Sequence, residues 1–484
     1  MCLGGKTRPN RRCDRLRKGR ILLLTVVFSY WPTCKPQENR LRMESTLTLE
    51  SDEMIAQLVA AAIKERHKTE EFIAGETTIQ MSGKVFGEPE LTAAVQASLD
   101  FWLTAGPYSE EFESRLAKIV GMRHSFMVNS GSSANLIALS SLTSPKHGER
   151  ALKPGDEVLT VAAGFPTTVT PILQNGMVPV YVDIDLETYV ANDEAFESAI
   201  GPKTKAVMIA HTLGNPINLD LMEKMAERHN LWFIEDSCDA LGGTYRGKNL
   251  GSFGDLSTLS FYPAHHITTG EGGAVLTKKA FYKTIVESLR DWGRDCWCPT
   301  GCDNTCLKRY EWQMGDLPKG YDHKYIYSHL GYNLKSGDIQ AAIGLAQLDR
   351  LDNFVELRRQ NWSYILKGLS DLSEYLILPR ATDNSDPSWF GFAITVRESS
   401  PKTRNELVES LYKRKIKTRL LFAGNILRQP AFIGTPRRVH GELINTDIAM
   451  HSTFWIGVWP GLTTPMLDYM IESIHDILEG KQTG

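Results

Sequence analysis

The sequence is short of net charge, short of cysteine pairs and short of long apolar runs. It holds 54 Lys and Arg against 57 Asp and Glu, a net charge of −3. That balance hides an asymmetry: residues 1–42 carry eleven basic and two acidic side chains, +9, so the remainder is 43 minus 55, or −12. An acidic body lacks the clustered cations that counterion release requires, which excludes broad nucleic-acid binding. One uncharged run, Ile21 to Cys34, stands out, but fourteen residues of helix reach only ~21 Å against a ~30 Å bilayer core, and no stable membrane insertion is expected. No internal repeat or low-complexity tract appears. What is present is ordinary globular composition, 42% hydrophobic and 23% charged over 484 residues, which rules out a disordered or fibrous chain. At ~150 residues per domain, the length predicts one large unit with one or two smaller ones.

Eight cysteines are too few, and too clustered, for a disulfide framework in a chain this long. Cys2, Cys13 and Cys34 lie in the basic leader. Cys238, Cys296, Cys298, Cys302 and Cys306 lie in the body, four of them within one loop, which favours a metal or redox site. Residues 1–42 read as an upstream extension outside the fold, with a signal or weak anchor as alternatives. Tyr30-Trp31-Pro32-Thr33 offers no small-x-small cleavage site, and Met43 is an attractive start, because Ser51-Asp52-Glu53 then caps an amphipathic helix from Met54 to Lys64.

From Pro107 onward, short apolar strands alternate with helix-length spacers: strands over His124 to Asn129, Glu157 to Val161, Val178 to Asp183, Lys205 to Ala210 and Leu231 to Glu235. The pattern predicts an α/β fold with a mainly parallel, doubly wound sheet. Beyond about Ser370 it changes, giving residues 43–370 as arm plus large domain and 371–484 as a smaller α+β domain. Between Asp291 and Leu330 lies an aperiodic Cys-, Gly- and Trp-containing stretch, expected to be an insertion held by something other than packing.

Three segments carry chemistry. Asn129-Ser130-Gly131-Ser132-Ser133-Ala134-Asn135 joins a strand to a helix, so backbone amides and the helix dipole can meet an anion; a plain N-cap reads equally well. Leu231-Trp232-Phe233-Ile234-Glu235-Asp236 is an apolar strand ending in two acids, where ligands of such sheets collect; either acid alternatively caps the next helix. Ser260-Phe261-Tyr262-Pro263-Ala264-His265-His266-Ile267-Thr268-Thr269-Gly270-Glu271-Gly272-Gly273 runs from a strand through two histidines into a glycine-rich turn.

Together these resemble the DegT/DnrJ/EryC1/StrS family of fold-type I PLP enzymes over most of residues 75–475. The family's Ser-Phe-His-x-x-Lys-Asn-Ile-Thr-Thr-Gly-Glu-Gly-Gly matches the last segment, with His265 on the lysine and His266 on the asparagine. Gly331-Tyr332-Asn333-Leu334-Lys335 and the helix after Ser336 match as well. The resemblance implies that Ser132 and Ser133 bind the cofactor phosphate, with the Ser260 hydroxyl. It implies that Phe165 stacks on the pyridine ring and Asp236 pairs with the ring nitrogen. Asn333 would reach the phosphate of a neighbouring subunit, hence a homodimer with shared active sites.

Histidine has no primary amine with which to tether the cofactor, but it moves protons near neutral pH. Pyridoxamine phosphate (PMP), held non-covalently, becomes the useful form, with His265 as base. In the family's register Asp239, Tyr262 and Phe390 replace a glutamine and two histidines, and the resemblance implies that all three would face the substrate. Cys238, Cys296, Cys298 and Cys306 are spaced like the ligands of the [2Fe–2S]-containing branch of this family, the sugar-nucleotide 3-dehydrases; structural zinc is the alternative. The resemblance therefore implies a cytoplasmic lyase that removes the C3 hydroxyl of a nucleotide-linked 4-keto-6-deoxyhexose, CDP-4-keto-6-deoxyglucose first, for dideoxysugar and O-antigen synthesis. Electrons would come from a flavin/iron–sulfur, NAD(P)H-dependent reductase. The rivals are a dTDP- or GDP-sugar 3-dehydrase, a sugar aminotransferase, and a regulatory paralogue without activity.

Overall fold

The computed structural model describes residues 46–67, 71–299 and 301–480, with side chains from 51 onward. The leader, and the start proposed at Met43, lie outside the described residues.

Fifteen strands are found among them: β1 (His124–Val128), β2 (Glu157–Val161), β3 (Val178–Val182), β4 (Thr204–Ala210), β5 (Trp232–Asp236), β6 (Thr244–Tyr245), β7 (Lys248–Asn249), β8 (Leu256–Ser260), β9 (Gly273–Thr277), β10 (Leu376–Ile377), β11 (Ser385–Asp386), β12 (Gly391–Val396), β13 (Arg419–Leu420), β14 (Arg438–Val439) and β15 (Thr453–Gly457). Eight form the large sheet in the order β1-β9-β8-β5-β4-β2-β3-β14. The β2, β3, β4, β5, β8 and β14 pairings are parallel, and β9 runs antiparallel between β1 and β8. Side chains alternate across this sheet, as the pleat demands. Val207, Ile209 and Phe233 enter one core with Leu159 and Val180, while Ala206, Met208, Trp232 and Ile234 enter another with Phe126 and Leu256. Both faces are thus buried, which is why these strands read as unbroken apolar runs.

A second sheet, β10-β12-β15-β13, carries the C-terminal core with Phe392, Ile394, Phe454 and Ile456. The helix Leu351–Leu369 serves both units. Phe354 and Val355 pack beside Phe261 and Ile267, and about two to four turns on Trp362, Ile365 and Leu369 pack beneath the second sheet. Strand β14, late in the chain, returns to the edge of the large sheet against β3.

Two expectations are corrected. The first helix runs Thr46–Arg66, so Ser51-Asp52-Glu53 lies inside it rather than capping it; no Gly or Pro upstream stops the backbone. The 291–330 stretch does have packing of its own. His323 is fully buried and stacks on Trp312 (4.8 Å, 26°), with Trp297 edge-on to both. Its Nε2 meets the Asp295 carboxylate at 2.9 Å, and Arg309 clamps Asp322 at 2.7 Å. At the base, Gly293 (φ +81°) lies so close to the returning chain that a Cβ would stand 1.9 Å from the His329 carbonyl oxygen. The spacing of these aromatics follows no secondary-structure period, so sequence periodicity could not register them.

Candidate active site

The site forms where the parallel strands end. Strand β5 delivers two adjacent acids to opposite faces, and the surroundings give each a different task. Glu235 is fully buried and accepts from the Gly251 and Phe253 amides (2.9 and 2.6 Å), with His211 Nε2 at 3.1 Å; it ties down the loop before β8. Asp236 faces the helix Gly131–Leu142. Its Oδ2 accepts from Asn135 Nδ2 (2.8 Å) and Thr168 Oγ1 (2.7 Å), and its Oδ1 from the Cys238 amide (3.2 Å). Thr258 Oγ1 in turn donates to Asn135 Oδ1 at 2.6 Å, so the amide is oriented with its nitrogen toward the carboxylate. Asn135, Thr168 and Thr258 were not singled out from the sequence; Asn135 stood in the quoted loop, but nothing in sequence spacing points it at Asp236.

Ser130 caps the helix Gly131–Leu142 by accepting from the Ser133 amide at 3.1 Å. The capping and anion-binding readings of that loop therefore coexist: Ser133 N–H already has its acceptor, while the Gly131 and Ser132 amides open the helix with no acceptor among the described residues. Gly131 is required by close approach, because a Cβ there would stand 2.5 Å from Ser260 Cβ and 3.2 Å from Cys238 Sγ. Ser260, at the end of β8, thus sits against the helix N-terminus, and its Oγ accepts from the Tyr262 amide at 3.4 Å.

The chain then turns through Pro263, with the His265 amide donating to the Tyr262 carbonyl at 2.9 Å. This turn aims His265 inward and leaves the Tyr262 ring 53% exposed at the rim. The His265 ring lies 5.0 Å from the Phe390 ring at 35°, and its Nδ1 is 3.4 Å from Asp239 Oδ1, too poorly aligned to be a hydrogen bond. Burial and the Arg358 cation push the His265 imidazole down to about 4. Burial and the Asp236 charge push the Asp239 carboxyl up to about 8. A neutral imidazole thus faces a protonated carboxyl at pH 7. His266 points away, with Nε2 at 2.8 Å from the Ser388 carbonyl.

Arg358 was also invisible in the sequence. It is 1% exposed, and its guanidinium donates to the carbonyls of His265 (3.2 Å) and Trp389 (3.3 Å). It thereby ties the histidine turn to the Trp389–Phe390 segment. Phe165, at the start of the helix Pro166–Gln174, is half exposed and edge-on to Phe422 (5.9 Å, 85°). Asn333 is not gathered with these residues; it is exposed beside Lys335, whose Nζ donates to its Oδ1 at 3.0 Å.

The thiols divide in the same way. Cys296, Cys298 and Cys306 are mutual neighbours in the insertion, where burial pushes Cys296 up to about 11 and the Thr305 hydroxyl, against the pull of burial, lowers Cys298. Cys238 instead faces Asp236 and Thr258, and burial with the Asp236 charge pushes its thiol well up. Among the described residues no group of three or more His, Cys, Asp or Glu is arranged to hold a metal ion. The four thiols do not fit one cluster within a single chain. No helix among the described residues is long and apolar enough to cross a membrane.

A buried, triply hydrogen-bonded carboxylate, open amides at a helix N-terminus and a glycine cradle against a serine hydroxyl fit a pyridoxal-phosphate cofactor at strand ends. The fold and site define the class of fold-type I PLP enzymes. Residues 87–475 match the DegT/DnrJ/EryC1/StrS aminotransferase family model, and the chain belongs to that family. It is 58% identical over 424 residues to the lipopolysaccharide biosynthesis protein RfbH of Salmonella typhimurium, covering 88% of this chain and 97% of that one. It is 53% identical to a dTDP-4-dehydro-2,6-dideoxy-D-glucose 3-dehydratase of Saccharopolyspora spinosa, covering 87% and 91%. Among solved structures, E. coli GDP-4-keto-6-deoxy-D-mannose-3-dehydratase with bound hydrated PLP superposes with a TM-score of 0.75 at 28% identity, covering 82% of this chain and 100% of that one.

Proposed function

We propose that this chain is a PMP-dependent 3-dehydrase of a nucleotide-linked 4-keto-6-deoxyhexose. The observation that carries the reading is His265, a buried imidazole beside Phe390 and Asp239 where the family's tethering lysine belongs. Relatives named as 3-dehydratases of dTDP- and GDP-linked sugars support the reaction class. Bound here, PMP supplies an amine for the sugar's C4 ketone and a ring that takes up electron density. The chain's own residues do the rest. Asp236 would stand at the ring nitrogen; the Gly131 and Ser132 amides, the Ser133 hydroxyl and the Ser260 hydroxyl would receive the phosphate, the Ser133 amide being taken by Ser130; Phe165 would cover the ring. His265, neutral at pH 7, takes a proton, and protonated Asp239 beside it can return one. Tyr262 and Phe390 would line the substrate side, and Asn333, apart from these residues in its own chain, would reach a neighbouring subunit's phosphate.

The finer reading assigns CDP-4-keto-6-deoxyglucose as substrate, a [2Fe–2S] cluster on Cys238, Cys296, Cys298 and Cys306, and a flavin/iron–sulfur reductase as partner. Its support is the resemblance alone, since the described thiols make no metal-holding group, and no step is derived through the cluster.

The test supplies purified protein with PMP and the CDP-, dTDP- or GDP-linked 4-keto-6-deoxyhexose, with and without a reducing system. Loss of the C3 oxygen from one of them, followed by mass spectrometry and NMR, is the expected result. Transfer of an amino group to C4 with no loss of oxygen would instead make the chain an aminotransferase.

A further inference from the structure

The strand pairing of the second sheet sorts its two faces. Phe392, Ile394, Phe454 and Ile456 fill the C-terminal core, whereas Ala393 and Trp455 enter a core of the large unit. Ala393 lies opposite Trp455, and Trp455 opposite Arg419; residues directly opposite share a face, so the three form one cross-strand row. The row thus passes from a buried alanine and tryptophan to an exposed arginine on β13, the outermost strand of that sheet. It also leads to the site. The Trp455 ring lies 5.5 Å from the Phe390 ring, and the Phe390 ring 5.0 Å from that of His265. Beyond Arg419 the chain is pinned over the strand ends. Leu421 is buried in the same core, Phe422 meets Phe165 edge-on, and the Ile426 amide donates to the Ala162 carbonyl at 3.0 Å.

Pairing sets Arg419 apart from the cations around it. Arg414, Arg428 and Arg438 are each matched by a carboxylate, those of Asp476, Asp447 and Glu157. Lys417 holds its ammonium over the Tyr412 ring at 4.1 Å. Arg419 donates from Nη1 to the neighbouring Thr418 carbonyl at 2.9 Å, and the rest of its donor fork meets no acceptor among the described residues. A guanidinium fork left open beside the rim fits a phosphoryl group, which is opposite in charge and accepts two parallel hydrogen bonds. We propose that Arg419 binds the diphosphate of the substrate and is the residue by which the site distinguishes a nucleotide-linked sugar from a free one. The inference rests on the reading of the substrate as a nucleotide-linked 4-keto sugar. In such a substrate the phosphoryl group is carried on C1, across the hexose ring from the C4 ketone that is to react beside His265. The anion therefore belongs outside the histidine pocket, toward the rim that Arg419 borders. A body of net charge −12 beyond the leader (43 minus 55) repels a diphosphate, and a cation at the rim offsets that field along the way in.

Calorimetry on the PMP-loaded protein tests this with CDP, dTDP and GDP and with the matching nucleosides, for wild type, Arg419→Gln and Arg419→Lys. Circular dichroism and PMP absorbance check that each variant folds and loads. For the diphosphate that wild type binds, Arg419→Gln should weaken binding about tenfold or more, the worth of one charge-assisted pair, with nucleoside binding kept within about twofold. Arg419→Lys should keep part of the affinity, because it retains the charge without the fork. Diphosphate binding should also depend less steeply on salt in Arg419→Gln. Unchanged diphosphate binding in Arg419→Gln, equal losses for diphosphate and nucleoside, or a wild type that binds none of the three diphosphates overturns the proposal. Steady-state kinetics on the sugar substrate give a second reading. KM should rise about tenfold with kcat kept within about threefold, and a fall in kcat at unchanged KM counts against the assignment. Wild type that binds a diphosphate through Arg419 yet removes oxygen from none of the sugars takes away the 3-dehydrase reading and leaves the binding residue in place.

Discussion

His265 and Asp239 are held in contact in the protonation states opposite to those of an ion pair. Burial and Arg358 hold the imidazole down to about 4, and burial with Asp236 holds the carboxyl up to about 8, so across neutral pH the pair carries one movable proton and no net charge. Under the proposed dehydration, replacing His265 by Asn should lower kcat by about 10²–10⁴, the usual worth of a positioned acid–base group, with PMP affinity changed only a few-fold. Stopped-flow turnover and PMP titration separate the two effects. Arg358 acts through other residues. Arg358→Met leaves the His265 and Trp389 carbonyls unpaired, which should cost about 1–3 kcal/mol in urea unfolding. It should also lower kcat more than it raises KM, because the turn bearing His265 loosens; Arg358→Lys should recover part of both.

At the scale of elements, the helix Gly131–Leu142 organises the site twice over. Its N-terminus presents the Gly131 and Ser132 amides, and its first turns carry Asn135 to Asp236. Gly131→Ala would push a methyl to 2.5 Å from Ser260 Cβ. The backbone there has to shift, so thermal unfolding should show about 1–3 kcal/mol of destabilisation, and PMP should bind at least tenfold more weakly by absorbance titration. The strands around this helix were legible in the sequence because burial on both faces makes them continuous apolar runs with helix-length spacers. The motif segments and the Asp236 position were legible too. The sharing of work between Glu235 and Asp236 was not, since adjacent residues on a strand differ only in which face they meet. The insertion's core of Trp297, Trp312 and His323 was missed for a related reason: its contacts join residues at irregular separations.

At the scale of the whole molecule, β14 carries the C-terminal stretch back to the edge of the large sheet, and one ion pair secures it. Arg438 donates to both Glu157 oxygens at 2.9 and 2.8 Å, and this holds the Glu157 carboxyl below its ordinary range. A carboxylate with a depressed folded-state value stabilises above its unfolded value, and that contribution fades as pH falls through the folded one. Arg438→Gln should therefore cost about 0.5–1 kcal/mol at pH 7, allowing for solvent screening of the half-exposed guanidinium. The gap between variant and wild type should close below about pH 4. Urea unfolding at a series of pH values checks both the size and the sign.

The sequence by itself determined the α/β order of elements, the serine-rich loop between β1 and the helix Gly131–Leu142, the acids at the end of β5 and the paired histidines after β8, because each is written in local pattern or in adjacent residues. Only the tertiary structure decided how Glu235 and Asp236 divide their partners, that Arg358 clamps the histidine turn, and that Cys238 stands apart from the other three thiols. Those outcomes depend on which face of a strand and which end of a helix meet in space, and sequence spacing carries neither.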